Sequence, residues 1–302
     1  MNQLLLNQMR FSVVSRVICK SHFSTSKVNY IVPGALHLVS TPIGCLDDIS
    51  TRAKTILQFA SMILAEDTRT TGLLLNRMEI SNKLESLNQE NERSKIPMIL
   101  THLKDGRRCC IGKSIALVSD AGTPVLSDPG ATLVRTIPIV PVPGPSAALA
   151  ALVCSGFYIT PFQFVGFVKR SGSERSRQLR TIAASPSTTI LYESSHRICE
   201  TLDDLAGTLG GDRRVCICRE LTKLHETITR LSLQEKGEFT LVLEGLTEFN
   251  ERMNQKDEED KNSIYRCIQE MKREGINKDV IMRIMTNSFQ LTKSEVKKEL
   301  YS

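Results

Sequence analysis

The sequence predicts an α/β protein built as two α/β domains with a small helical module behind them. Three observations carry this. From residue 35, strand-like and helix-like runs alternate, the pattern of a mainly parallel sheet covered by helices. A second alternating unit starts near Gly156. From residue 262 the apolar periodicity is helical throughout. A chain of 302 residues has room for two such domains.

Residues 35–40 form the first expected strand and feed the loop Thr41-Pro42-Ile43-Gly44. Ile49, Ala53, Ile56, Leu57 and Ala60 recur at helical spacing, and Asp47 or Asp48 can cap that helix. Residues 61–65 read as a short buried strand ending in Glu66-Asp67-Thr68-Arg69, with a helix through Leu73, Leu74 and Leu75 behind it. Residues 90–103 read as a helix interrupted or restarted at Pro97. Residues 115–119 are a strand that stops at a loop of small residues, Asp120 to Ser127. Asp128-Pro129-Gly130 then reads as a helix start, with Asp128 as N-cap and Pro129 at the first helical position. Residues 137–142 are a strand, and Pro143-Gly144-Pro145-Ser146 opens an Ala-rich helix over 147–154.

In the second unit, 162–167, 187–193, 214–219 and 239–244 read as strands. Residues 173–184 form a basic helix with Arg175, Arg177 and Arg180, and 195–209 a helix stopped by Gly210-Gly211. Residues 249–261 are charged and read as a linker. Helices are expected over 264–274 and 278–286, and Thr292-x-x-Glu295 is a capping box for a last one. Three helices of this size resemble a helix-turn-helix module. The domain plan is thus 31–155, 156–248, a linker over 249–261 and a module over 262–302.

Composition narrows the class. Hydrophobic residues make up 41% and charged residues 24%, ordinary for a globular protein. No apolar run approaches the ~20 residues that span a bilayer, so no membrane is expected. With 5% aromatics and no Trp, a base-stacking platform for single-stranded RNA is disfavoured. Residues 1–27 hold Arg10, Arg16, Lys20 and Lys27, several Ser and no acid, the composition of an organelle transit peptide. A mitochondrial transit segment is expected over 1–30. Its four cations account for most of the net charge of +6, so basicity alone says little about RNA. The nine Cys lack a C-x-x-C spacing and read as reduced thiols.

Polar clusters follow the expected strands at 41–44, 66–69, 119–127, 143–147, 192–197 and 219–223. In a parallel sheet the carboxyl ends of strands share one edge, so these clusters converge on a small-molecule site. No G-x-x-x-x-G-K-[ST] occurs and no G-x-G-x-x-G follows a strand, which argues against a P-loop or dinucleotide fold. The clusters are rich in carboxylate, guanidinium and hydroxyl groups but hold one His and no Cys, which argues against a metal centre and thiol catalysis.

Several long motifs then occur in one order. They are Thr41-Pro42-Ile43-Gly44, Ala65-Glu66-Asp67-Thr68-Arg69, Asn91-Glu92-Arg93, Ser119-Asp120-Ala121-Gly122-Thr123-Pro124, Ser127-Asp128-Pro129-Gly130, Pro143-Gly144-Pro145-Ser146-Ala147, Tyr192-Glu193-Ser194-x-His196-Arg197 and Arg219-Glu220-Leu221-Thr222-Lys223-x-His225-Glu226. Over about residues 35–245 the chain resembles the RsmI family of 16S rRNA (cytidine-2′-O)-methyltransferases, of the tetrapyrrole-methylase superfamily. The tail resembles that family's C-terminal appendage.

The resemblance implies S-adenosylmethionine in a cleft between the two domains, a homodimer, and methyl transfer to a cytidine ribose 2′-hydroxyl of small-subunit rRNA. It implies cofactor contacts at Pro42, Asp120, Gly122, Thr123, Pro124, Leu126, Ser146, Ala147, Tyr192 and Arg219. Methyl transfer from a sulfonium is an in-line displacement, so alignment supplies much of the rate. A ribose hydroxyl is a weak acid and gains from a base. Asp67, Glu193 and Glu220 are candidate bases, and Arg69, Arg197 and Lys223 candidate phosphate holders. Structural ion pairing is the alternative for each. The family pattern is longer than this chain between Arg135 and Pro138 and between Thr229 and Gly237, and Cys45 replaces its usual Asn. Two other readings stand beside the enzyme. One is a degenerate rRNA-binding assembly factor using Arg175, Arg177, Arg180 and the C-terminal helices. The other is a small-molecule, tetrapyrrole-type methylase.

Overall fold

The computed structural model describes residues 30–108, 113–229, 237–289 and 291–301. Apart from Tyr30, the expected transit segment lies outside the described residues, as do 230–236 of the second shortened stretch.

In the first domain, β1 (Leu36–Val39), β2 (Met62–Ala65), β3 (Leu84–Ser86), β4 (Ile115–Val118) and β5 (Ile139–Val142) alternate with helices. The helices are α1 (Thr51–Phe59), α2 (Thr68–Arg77), α3 (Glu92–Arg108), α4 (Ala131–Val134) and α5 (Ala147–Ser155). The sheet has the order β3-β2-β4-β1-β5 and is parallel throughout. Apolar side chains alternate across it. Ile63, Ala65, Ala116 and Val118 pack with Ile56 and Leu57 of α1 and Leu75 of α2. Met62, Leu64, Ile115 and Leu117 pack on the other face with Ile99 of α3 and Leu133 of α4. Burial on both faces explains why these strands are short continuous apolar runs.

Several local expectations need correcting. Asp47 and Asp48 lie in a short 3-10 turn, and α1 is capped instead by Ser50, whose hydroxyl accepts the Ala53 N–H at 3.0 Å. α3 runs through Pro97 without a break. Asp128 and Pro129 do not open a helix. Gly130 has φ 121°, a backbone that breaks helical continuity, so α4 starts at Ala131. Its N-terminal amides are capped across the chain: the buried Glu92 accepts from Thr132 N and Leu133 N at 2.8 and 2.9 Å. As the short sequence requires, α4 has only four residues.

The second domain contains β6 (Phe162–Phe167), α6 (Gly172–Ala183), β7 (Thr188–Ser194), α7 (Ile198–Leu209), β8 (Val215–Arg219), β9 (Thr227–Thr229) and β10 (Glu238–Leu243). Its order is β6-β7-β10-β8-β9, and only β6–β7 is parallel. The expectation of a mainly parallel sheet therefore holds for the first domain only. The short β8–β9 connection cannot make a crossover, which enforces an antiparallel pair. β7 and β8 both run against β10, so their carboxyl ends still share an edge. α6 and α7 cover one face through Leu179, Ile182, Ile198 and Leu205. The other face is covered by α5 of the first domain, through Ala148, Ala151 and Leu152 against Ile190, Cys218 and Val242. α5 is the seam between the domains.

Residues 249–261, expected as a linker, lie inside α8 (Leu246–Arg273), a continuous helix of 28 residues. The stretch contains neither Gly nor Pro, so charge does not stop the helix. Its root is held by ion pairs: Arg214 bonds Glu244 at 2.5 Å and Glu248 at 2.7 Å, and Arg252 bonds Glu244 at 2.9 Å. The far half of α8 packs with α9 (Lys278–Ser288) and α10 (Lys293–Tyr301) around Ile268, Ile281, Met285, Val296 and Leu300. The expected capping box forms: Thr292 Oγ1 accepts Glu295 N, and Glu295 Oε2 accepts Thr292 N at 2.8 Å.

Glu92→Ala removes the cap of α4 and strands the buried amide of Leu133 and the half-buried amide of Thr132. It is expected to cost about 1–2 kcal/mol of stability in urea unfolding. An unchanged midpoint would show that α4 does not depend on Glu92.

Candidate functional site

The loops after β1, β4 and β5 are sewn together by hydrogen bonds. Thr41 N donates to Gly122 O at 2.9 Å, and Gly122 N donates to Thr41 O at 3.1 Å. Gly122 has φ 78°, a conformation glycine accepts at low cost. Ser40 Oγ reaches Thr123 Oγ1 at 3.3 Å, and Thr123 Oγ1 donates to Pro145 O at 3.2 Å. Across the domains, Cys45 N donates to Thr222 Oγ1 at 3.0 Å.

These loops form one wall of a cavity of about 370 Å³. Its first-domain lining comes from the carboxyl ends of strands: Ile43, Glu66, residues 120–123 and 126–128, and Ala147. β1 and β4 lie side by side, and their connections leave toward opposite sides of the sheet. That is a topological switch point, where open α/β sheets bind ligands. The facing wall is Phe167, Tyr192, Glu193, Ser194 and residues 238–240 of the second domain. Tyr192 stacks edge-on against Phe164 and Phe167, and its phenol oxygen meets the Ala148 N–H and the Ser146 side chain. The size is that of a small-molecule site, with apolar walls and a few converging polar groups.

Acidity concentrates on one side. Burial, then the neighbouring charges of Asp128 and Asp120, push the Glu66 carboxyl from 4.5 up to about 7. Burial, with the Asp120 charge adding to it, pushes Asp128 from 3.8 up to about 6. Burial also raises Asp120.

Of the expected cofactor residues, the structure brings Asp120, Gly122, Thr123, Leu126, Ala147 and Tyr192 to the cavity. Pro42, Pro124, Ser146 and Arg219 lie outside its lining. Pro42 and Pro124 are buried behind the loops, and Arg219 donates to His225 O at 3.1 Å.

The expected catalytic residues are mostly ion-paired. Asp67 caps α2 and holds the exposed Arg69 at 2.7 Å, and Arg69 holds its carboxyl down to about 2. Glu193 lines the cavity but is buried, accepting Thr201 Oγ1 at 2.7 Å and Ser194 N at 2.8 Å, with Arg197 at 3.6 Å. Arg197 also donates to Val168 O and Lys169 O. Glu220 pairs with Lys223 at 3.0 Å and accepts Glu238 N at 2.7 Å.

Arg175, grouped in sequence with Arg177 and Arg180, points inward: it is 5% exposed and bonds Asp204 at 2.7 Å, Thr201 and Lys169 O. Arg177 and Arg180 are exposed. Glu66 and Asp128 also line the cavity, beyond the residues that the sequence singles out. Glu66 stands at a strand's carboxyl end, the signal that marks its neighbours. Asp128 was hidden behind a plausible capping role.

Residues 35–237 match the tetrapyrrole (corrin/porphyrin) methylase family, which is two thirds of the chain. The chain belongs to this family. Relatives named ribosomal RNA small subunit methyltransferase I are closely similar. That of Xylella fastidiosa is 44% identical over 230 residues, covering 70% of this chain and 82% of its own length. Those of Escherichia coli O157:H7 and Bacillus subtilis are 43% and 42% identical, with 78% and 75% of their lengths covered. This chain belongs with them within the family. Among solved structures, the methyltransferase CobJ aligns with a TM-score of 0.53 and 16% identity, over 70% of this chain and 95% of its own. The cobalt precorrin-4 methyltransferase CbiF aligns at 0.52 and 16%, over 71% and 98%. At that identity they support the fold alone.

A raised folded-state pKa means that the folded protein keeps a proton which the unfolded chain has released. The stability that Glu66 contributes in this way is full below pH 4.5 and is lost as pH rises through about 7. Glu66→Gln is therefore expected to melt higher than the unaltered protein at pH 8, with the gap closing below pH 4.5. Equal melting curves at pH 8 would contradict the crowding of charge described above.

Proposed function

We propose that this protein is an S-adenosylmethionine-dependent methyltransferase acting on a cytidine ribose 2′-hydroxyl of small-subunit rRNA, in the mitochondrion and as a homodimer. The observation that carries the reading is the cavity at the switch point, lined by residues 120–123 and 126–128 of the loop that carries the family resemblance. S-adenosylmethionine fits the residues present. The cavity has room for a molecule of that size, aromatic and aliphatic side chains wall it, and backbone at 120–123 rims it. The carboxylates of Glu66, Asp120 and Asp128 suit a cationic ligand. When bound, the cofactor supplies an electrophilic methyl group on a positively charged sulfur.

The protein's part is positioning. Thr123 and Gly122 hold the loop wall through their bonds to Ser40, Thr41 and Pro145, while Tyr192 closes the opposite side. Arg177, Arg180 and the C-terminal helices are the surfaces assigned to rRNA, where phosphate contacts fix register. A tetrapyrrole-type substrate needs neither surface. The assembly-factor reading rests on the two shortened stretches, near 135–138 and 229–237; at the first, Glu92 keeps α4 capped, and the second lies largely outside the described residues. Mitochondrial location is supported by the acid-free, Arg- and Ser-bearing stretch of residues 1–27. Dimerisation is supported by an unpartnered apolar surface on α5 and the turn after it, where Leu149 is 52% and Val153 68% exposed, with Tyr158 and Ile159 nearby.

Protein lacking residues 1–30 is expected to bind S-adenosylmethionine in calorimetry and to protect one rRNA ribose from alkaline cleavage. Absence of both the binding and the protection would overturn the enzyme reading. Removing residues 262–302 is expected to weaken rRNA affinity and spare cofactor affinity; unchanged rRNA affinity would reassign the module. Leu149→Ser with Val153→Ser is expected to halve the mass seen by light scattering. A fluorescent protein fused behind residues 1–30 is expected in mitochondria, and a cytosolic signal would end that assignment.

A further inference from the structure

We propose that Glu66 is the catalytic base that accepts the proton of the ribose 2′-hydroxyl. The inference rests on the methyltransferase reading and deepens it by assigning a residue that the ion-paired candidates leave open.

Geometry makes the choice by elimination. Asp67 is a helix cap clamped by Arg69 through both carboxylate oxygens. Glu193 is buried and bonded to Thr201, Ser194 and Arg197. Glu220 is bonded to Lys223 and to Glu238 N. Glu238 lines the cavity but is 76% exposed and paired with Lys223 at 3.1 Å. Asp120 accepts Asp67 N at 3.2 Å, and Asp128 is the more buried partner, bonded to Ser119. Glu66 faces the cavity at the carboxyl end of β2, with a backbone N–H of Asp120 as its hydrogen-bond partner. Its carboxylate lines the cavity with a single backbone N–H as its bond, and it is the acid on which the charges of Asp128, Asp120 and Asp67 all converge.

Its surroundings set its strength. Asp67 stands beside it at the head of α2. Asp120 and Asp128 press on it from the loop after β4, and Tyr192 and Glu238 stand on the facing wall. Arg69 is paired with Asp67. Burial first, and then the charges of Asp128, Asp120 and Asp67, push the Glu66 carboxyl up to about 7, where a base is both ionised and avid at neutral pH. The step balances. The hydroxyl proton passes to a Glu66 carboxylate oxygen as the ribose oxygen bonds the methyl carbon. The carbon–sulfur bond breaks with its electron pair left on sulfur, which becomes neutral. Proton and positive charge thus leave the reacting atoms together, and the protonated Glu66 returns its proton to solvent.

The test combines rate and titration. Glu66→Gln is expected to slow single-turnover methylation of rRNA about 100-fold or more at saturating S-adenosylmethionine, where any loss of cofactor affinity does not enter the rate. Glu66→Asp, which keeps the carboxylate one methylene back, is expected to retain a fraction of the rate and the same pH dependence. Carbon-13 titration of Glu66 in the cofactor-free protein is expected to give a midpoint near 7, against an ordinary 4.5. Asp128→Asn is expected to move that midpoint, and the midpoint of the rate profile, down by roughly half a unit or more. The titration needs no catalysis and stands even where Glu66→Gln fails to fold. A Glu66 that titrates at its ordinary value, or a Glu66→Gln enzyme as fast as the unaltered one, would overturn the inference. An unaltered enzyme that methylates no ribose would instead overturn the functional reading.

Discussion

The pair of backbone hydrogen bonds between Thr41 and Gly122 is the constraint on which the site depends. β1 and β4 are parallel neighbours, yet the residues just beyond them turn back and pair antiparallel. That pairing closes the edge of the sheet into a wall. Ser40, Thr123 and Pro145 extend the wall to a third loop. Each bond is worth only about 1 kcal/mol net, but together they let small residues hold a concave surface without a strand behind it. Val125 and Ser127 sit at φ 73° and 71°, backbone that the surrounding contacts must impose on side-chain-bearing residues.

Much of this was legible in the sequence. The first-domain alternation, the buried strands and the convergence of polar clusters at one edge follow from period and turn chemistry. What failed had local physical causes. Asp128 has the ideal chemistry of a helix cap, but Gly130 breaks helical continuity and Glu92, 36 positions earlier in the chain, caps α4 instead, which leaves Asp128 on the cavity wall. Arg175 looks like its neighbours Arg177 and Arg180 until helical phase turns it toward Asp204. β3 and β9 are three-residue edge strands without apolar alternation, too short to leave a pattern. In the second domain, connection length rather than strand composition decided direction.

The site was legible as a neighbourhood and not as a set of roles. Sequence motifs treat Glu66 and Asp67 alike, one residue apart. The fold separates them sharply. Asp67 caps a helix and binds an arginine at the surface; Glu66 faces an enclosed space among other acids. An acid crowded in this way costs stability above neutrality, the usual tension between a well-prepared site and a stable fold.

α8 has a consequence of a different kind. A helix of 28 residues rises roughly 40 Å, at 1.5 Å per residue. Its root is fixed by Glu244, Glu248, Arg214 and Arg252, and its far end is built into the core of the terminal module. The module's station is therefore set by counting. One residue inserted in the middle of α8 would rotate the module by about 100° around the helix axis and advance it by one rise, with the cavity and the module's own core untouched. Phase along a single helix thus sets which way the terminal helices face.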